Sequence, residues 1–139
     1  MARVEYLADT SVFARLSKPV VAAAFAPRAA EGRIGLCPPV AFELGYSARN
    51  HADYLALTER LEAFPPVPVT DADHRRSLEV QQALSANGHH RALSLVDALV
   101  AATAETRDLT VLHYDADFEL VADITGQSHQ WIVQRGTAD

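Results

Sequence analysis

Short runs rich in β-branched residues alternate along this chain with longer segments of helical periodicity. No other feature restricts the possible folds as much. Residues 3–8, 33–36, 67–69, 110–113 and 131–133 read as strands. Residues 19–30, 39–49, 52–63, 72–85, 95–107 and 116–122 read as helices. Pro39 suits a first helical turn and Asn87-Gly88 a helix stop. Thr70-Asp71-Ala72-Asp73 and Ser94-Leu95-Val96-Asp97 have the form of capping boxes, with Asp in place of Glu or Gln. Such alternation predicts an α/β fold, a mainly parallel sheet with helices on both faces. The chain has 139 residues, with no repeat and no linker, so one domain over 1–139 is expected. In open parallel sheets, ligands bind beyond the carboxyl ends of the strands, where the strand order reverses. Residues that directly follow strands are therefore the first candidates for function.

Composition narrows the classes. The single cysteine, Cys37, rules out an internal disulfide and a multi-cysteine zinc site, and a reducing cytoplasm is the expected location. The longest apolar run, residues 20–26, lies between Pro19 and Pro27 and falls far short of the ~20 residues of a membrane helix. No signal-peptide pattern follows Arg3 and Glu5, so a soluble protein with no membrane partner is expected. The net charge of -6 argues against a module that binds nucleic acid through a broad basic surface. It does not argue against a nuclease that meets phosphate through bound cations, because the metal inverts the local field.

Carboxylates cluster at the positions the strand-end rule selects. Asp9 follows the first strand in Leu7-Ala8-Asp9-Thr10-Ser11, and Asp115 and Asp117 follow the fourth in His113-Tyr114-Asp115-Ala116-Asp117-Phe118. Asp97 opens the helix that leads into that strand. Taken singly, each reads equally well as a helix cap. Glu43 lies too far inside its helix to cap it, and its neighbours at three- and four-residue spacing include no base. Acids gathered without partners repel one another. A hard divalent cation removes that penalty, and magnesium takes oxygen ligands while keeping several waters.

Asp9-Thr10-Ser11, the isolated Glu43, the stretch Ser94-Leu95-Val96-Asp97-Ala98-Leu99-Val100-Ala101-Ala102-Thr103-Ala104 and the turn Asp115-Ala116-Asp117-Phe118 occur in this order. Together they resemble the PIN-domain nucleases, and more narrowly the VapC-type ribonuclease toxins of bacterial type II toxin–antitoxin pairs. The resemblance runs from the first strand to the last. It implies a five-stranded sheet ordered 3-2-1-4-5, with Asp9 and Asp115 facing each other at the reversal point. It also implies an acidic centre of Asp9, Glu43, Asp97 and Asp115, with Asp117 as an accessory carboxylate and Ser11 as a polar residue that helps hold the site. Asp9, Asp97 and Asp115 are the implied metal ligands. The implied reaction is metal-dependent endoribonuclease hydrolysis of phosphodiester bonds, with Mg2+ as cofactor and Mn2+ able to replace it. In that scheme Glu43 and Asp97 orient water or take its proton. A cognate antitoxin, an RNA substrate and a homodimer are the implied partners. Pro38-Pro39 stands where many relatives begin the glutamate helix with small polar residues.

Other residues carry weaker signals. Arg15, Lys18 and Arg49 are candidates for RNA phosphate contact, with ordinary solvated charge as the equal alternative. His89 and His90 lack metal-ligand spacing. His113 reads as a packing residue, Trp131 as core and Cys37 as a small buried hydrophobe. A phospho-acceptor receiver domain requires paired acids after the first strand and a lysine after the last, and Asp9 and Lys18 supply neither. A dinucleotide-binding domain requires a glycine-rich first turn, which Asp9-Thr10-Ser11 lacks. Two alternatives share the expected fold: a catalytically inert partner-binding module, and a nuclease directed at DNA.

Overall fold

The structure, a computed structural model, describes residues 3–139. Its elements are β1 (Tyr6–Ala8), α1 (Thr10–Phe13), α2 (Pro19–Ala30), β2 (Ile34–Gly35), α3 (Pro38–Tyr46), α4 (His51–Leu61), α5 (Asp71–Ser85), α6 (Leu95–Thr106), β3 (Thr110–His113), α7 (Asp117–Thr125) and β4 (His129–Trp131). The strands form one parallel sheet in the order β2-β1-β3-β4. From β1 the chain steps to β2 on one side and later to β3 on the other, so the order reverses between β1 and β3. Tyr6, Leu7 and Ala8 align with Thr110, Val111 and Leu112, which brings the ends of the two strands level.

The period-two rule of strands divides the core between the two faces. Leu7 and Val111 point into a cluster with Val40 and Leu44 of α3, Val80 and Leu84 of α5, Val100 of α6 and Phe118 of α7. Ala8, Ile34 and Leu112 point the opposite way, against Val12 of α1 and Val21 and Phe25 of α2. The α/β class with a parallel sheet therefore holds.

The fifth strand does not form. Residues 67–69 form no strand, and only Pro66 before them makes a single parallel bridge, to Leu36, on the outer side of β2. Pro65, Pro66 and Pro68 have no N–H to offer a ladder. What remains is the Val67 N–H donating to the Leu36 carbonyl at 2.9 Å and the Leu36 N–H donating to the Pro65 carbonyl at 3.0 Å. The segment thus lies where the expected order 3-2-1-4-5 puts its third strand, but as a bridge. The last strand, expected at 131–133, runs instead over His129–Trp131, and Trp131 is half-buried rather than core. Pro38 and Pro39 both fit the first turn of α3.

Candidate functional site

Asp9 leaves β1 and caps α1, its Oδ2 accepting from the Ser11 N–H at 3.0 Å. Ser11 in turn accepts the Tyr114 N–H on its hydroxyl at 2.8 Å, which ties the end of β1 to the end of β3. Asp115 follows Tyr114. Its own N–H donates to His113 Nδ1 at 3.1 Å, and its Oδ1 accepts from the Asp117 N–H at 2.9 Å. Both capping boxes expected from the sequence have their hydroxyl half. Thr70 accepts from the Asp73 N–H, and Ser94 from the Asp97 N–H. Only the first is completed by its carboxylate, Asp73 accepting from the Thr70 N–H.

The Asp97 carboxylate goes elsewhere. One oxygen from each of Asp9, Asp97 and Asp115 lies within 4.8 Å of the other two. Asp9 is buried, and its Oδ1 has no hydrogen-bond partner. Burial, followed by the charges of Asp9 and Asp115, pushes the Asp97 carboxyl up to about 7. Burial also raises Asp9, against the opposing donations from Ser11, with a smaller push from Asp115. Asp117 is raised by burial and by its neighbour Asp115. An all-oxygen set with a buried oxygen lacking a donor suits a hard cation, and this cluster is able to hold a metal ion.

The other expected residues fall around this centre or away from it. Glu43 is not among the three gathered carboxylates. It sits half-buried on α3, at the edge of a cavity of about 800 Å³ shared with Thr10, Phe13, Ser47 and Arg60. Arg15 is anchored beside the centre: its guanidinium stands 4.6 Å over the Tyr114 ring and donates to the Ser11 and Ala138 carbonyls. Arg49 is exposed and paired with Asp53 at 2.7 Å, the solvated reading. Lys18 precedes α2 without a capping bond. His89 and His90 are exposed. Cys37 is buried, and burial pushes its thiol up to about 11, so it carries no thiolate chemistry.

His113 packs as the sequence reading expects, but its partners, and the place of Arg135, lay outside that reading. His113 is fully buried at the heart of the site, its Nε2 2.9 Å from His129 Nδ1 and its ring packed on Phe118 and Trp131. Arg135 lies over Trp131 at 5.6 Å and lines the same cavity as Arg15. The first depends on the pairing of β4 beside β3 and the second on the tail beyond β4, and local spacing signals neither.

The PIN domain family matches this chain over residues 6–124. Ribonuclease VapC51 of Mycobacterium tuberculosis (strain ATCC 25618 / H37Rv) is 45% identical over 136 residues, 98% of either chain. Ribonuclease VapC18 of the same strain is 37% identical over 134 residues, 95% of this chain and 98% of its own. In DNA-bound VapBC from Salmonella typhimurium, a chain 18% identical superposes with a TM-score of 0.75, covering 94% of this chain and 99% of that one. That last likeness concerns the fold. Matched over most of its length by the domain and over nearly all of it by the two ribonucleases, the chain belongs to the PIN domain family and is of the VapC type.

Proposed function

We propose that this chain, as one domain over 1–139, is the toxin of a toxin–antitoxin pair and a metal-dependent endoribonuclease. The observation that carries the reading is the meeting of Asp9, Asp97 and Asp115 at the strand-order reversal, with a buried Asp9 oxygen that no donor satisfies. Its VapC relatives bear the name ribonuclease. Asp9, Asp97 and Asp115 would hold the cation, Mg2+ with Mn2+ as a substitute, which would supply neutralisation of charge on the scissile phosphate and a lowered pKa of water.

The chain's own residues do the rest. Ser11 fixes Asp9 against the end of β3 through the bonds to Asp9 and Tyr114. The Asp117 N–H holds one oxygen of Asp115, and Asp117 is an accessory acid. Asp97 and Glu43 orient the attacking water and take its proton. Arg15, which lines the cavity that includes Asp115, and Lys18 remain the expected phosphate contacts, while Arg49 is committed to Asp53.

A cognate antitoxin and a second copy of the chain are the protein partners in this reading. Phe42 and Tyr46 of α3 are 81% and 89% exposed, and Phe42 lines an apolar cavity of about 840 Å³ with Tyr54 and Leu61 of α4. Surfaces of this kind are usually covered by protein. Among the described residues no helix is long and apolar enough to cross a membrane, and an RNA substrate places the activity in the cytoplasm.

The test is cleavage of a mixed RNA pool by purified protein in Mg2+. Cleavage is expected, and it stops on chelation. Asp9→Asn removes charge with little change of shape. It is expected to lower the rate by at least ~100-fold, the scale of a missing electrostatic catalyst, while circular dichroism stays the same. Wild-type rates in Asp9→Asn remove Asp9 from the mechanism. A metal-loaded wild type that cuts no RNA leaves the binding module as the function.

A further inference from the structure

We infer that the polar cavity beside the acidic centre is a phosphate subsite, which seats the RNA backbone next to the bond to be cut; this rests on the ribonuclease reading above. The cavity is about 340 Å³ and shares Asp115 with the carboxylate triad. A chain seated in one is therefore continuous with the other. Its walls bring together two guanidiniums, Arg15 and Arg135, in a protein whose net charge is -6.

Neither guanidinium has a carboxylate within ion-pair distance among the described residues, whereas Arg33, Arg49, Arg76 and Arg107 all do. Arg15 is also pre-set. Its Nε donates to the Ala138 carbonyl at 3.2 Å and its Nη1 to the Ser11 carbonyl at 3.0 Å, leaving Nη2 without a partner among the described residues. The Tyr114 ring supports the guanidinium plane from below. Arg135 stands over Trp131 in the same manner, and Trp131 is held by its own donation to Glu119 at 3.0 Å.

Two acids share the cavity, so their effect on this field must be weighed. Asp115 belongs to the metal cluster. Asp139 accepts the Tyr114 hydroxyl at 2.7 Å, and that hydroxyl also accepts the Gly136 and Ala138 N–H groups. Asp139 uses one oxygen to fasten the tail that carries Arg15's carbonyl partner, and it keeps its charge. What is left facing solvent is two supported, unpaired guanidiniums at one end of an acidic centre. A backbone phosphodiester matches that chemistry: it is a single negative charge shared by two non-bridging oxygens, suited to forked donors.

Single-stranded RNA cleavage in Mg2+ is measured for wild type, Arg15→Gln, Arg135→Gln and Arg75→Gln, the last an exposed arginine on α5 away from the site. Arg15→Gln and Arg135→Gln are each expected to raise KM about tenfold with kcat within about threefold, the loss of one charge-assisted contact. Each is also expected to reduce the slope of log kcat/KM against log salt by about 0.7. Arg75→Gln leaves both unchanged. Arg135 is exposed, so its variant folds even if Arg15→Gln does not. An active wild type whose KM and salt slope survive Arg135→Gln overturns the subsite and leaves the ribonuclease reading intact. If the wild type cuts no RNA, the ribonuclease reading falls. The subsite is then decided by fluorescence anisotropy of the same labelled RNA in Ca2+: weaker binding by Arg135→Gln upholds it, and equal binding or none by wild type overturns it.

Discussion

Asp97 stands at the third position of α6, where a carboxylate ordinarily turns back to the N-cap. The Ser94 hydroxyl makes its half of that arrangement, but the Asp97 carboxylate joins Asp9 and Asp115 instead. Sequence alone cannot separate a cap from a ligand, because both require an acid at the same offset from a serine. The difference lies in what stands opposite: β1 and β3 deliver two more acids to the same point. His113 shows the same dependence on tertiary placement. Its Nδ1 accepts the Asp115 N–H, so its proton sits on Nε2 and is donated to His129. Burial, then the proximity of His129, pushes its pKa down to about 3, and the ring stays neutral. It acts on Asp115 as a fixed acceptor and not as a charge. His113→Leu leaves a buried N–H unsatisfied, at a cost of about 1–3 kcal/mol, and is expected to lower both melting temperature and cleavage rate. His113→Asn puts Oδ1 where Nδ1 was, and is expected to recover cleavage beyond what its melting temperature explains. Equal rates in the two variants at matched stability would show that the ring only fills space.

At the scale of elements, legibility follows how local the cause is. The helix over Pro19–Ala30 and the strand over Thr110–His113 are bounded as the sequence reading expects, because proline and apolar period act within each segment. The Pro-rich stretch after α4 misleads for the opposite reason. Val67 and Val69 favour a strand, yet a ladder needs N–H donors that Pro65, Pro66 and Pro68 lack. The gap this leaves is filled by close approach. A Cβ on Gly35 of β2 would stand 2.5 Å from Val67 Cγ2 and 3.1 Å from Val4 Cγ1. Gly35→Ala is therefore expected to destabilise the fold by about 1–3 kcal/mol through overpacking, read as a lower urea midpoint at unchanged m-value. Adding Val67→Ala removes the clashing methyl, so the double variant is expected to lose less than the two single losses combined. An unshifted midpoint in Gly35→Ala means that Val67 steps aside freely and that the contact does not hold the edge.

For the molecule as a whole, one buried acid and one half-buried acid pull stability in opposite directions with pH. Burial raises Asp73, but the Thr70 N–H, Thr106 and Arg107 outweigh it and hold the carboxyl below its usual range. That contribution is present above about pH 4 and is lost as pH falls through the lowered value. Asp97 works the other way. It keeps its proton in the fold up to about pH 7, while the unfolded chain releases it near the ordinary value of 3.8. Between those limits the native state binds more protons, so stability falls as pH rises, by up to about 1.4 kcal/mol per pH unit for one such carboxyl. Without metal, the protein is thus expected to be most stable on the acid side of neutrality. A divalent cation needs the ionised carboxylates, so its stabilisation, RT ln(1 + [L]/Kd), grows as protons leave. Thermal melts in EDTA are expected to fall from pH 5 to pH 8, and the increment on adding Mg2+ to be larger at pH 8. Asp97→Asn removes the titrating group: it is expected to flatten the EDTA profile and to shrink the Mg2+ increment together. A metal increment equal at both pH values would mean that the ion binds elsewhere, since a cation held by Asp9, Asp97 and Asp115 must compete with the proton that Asp97 retains.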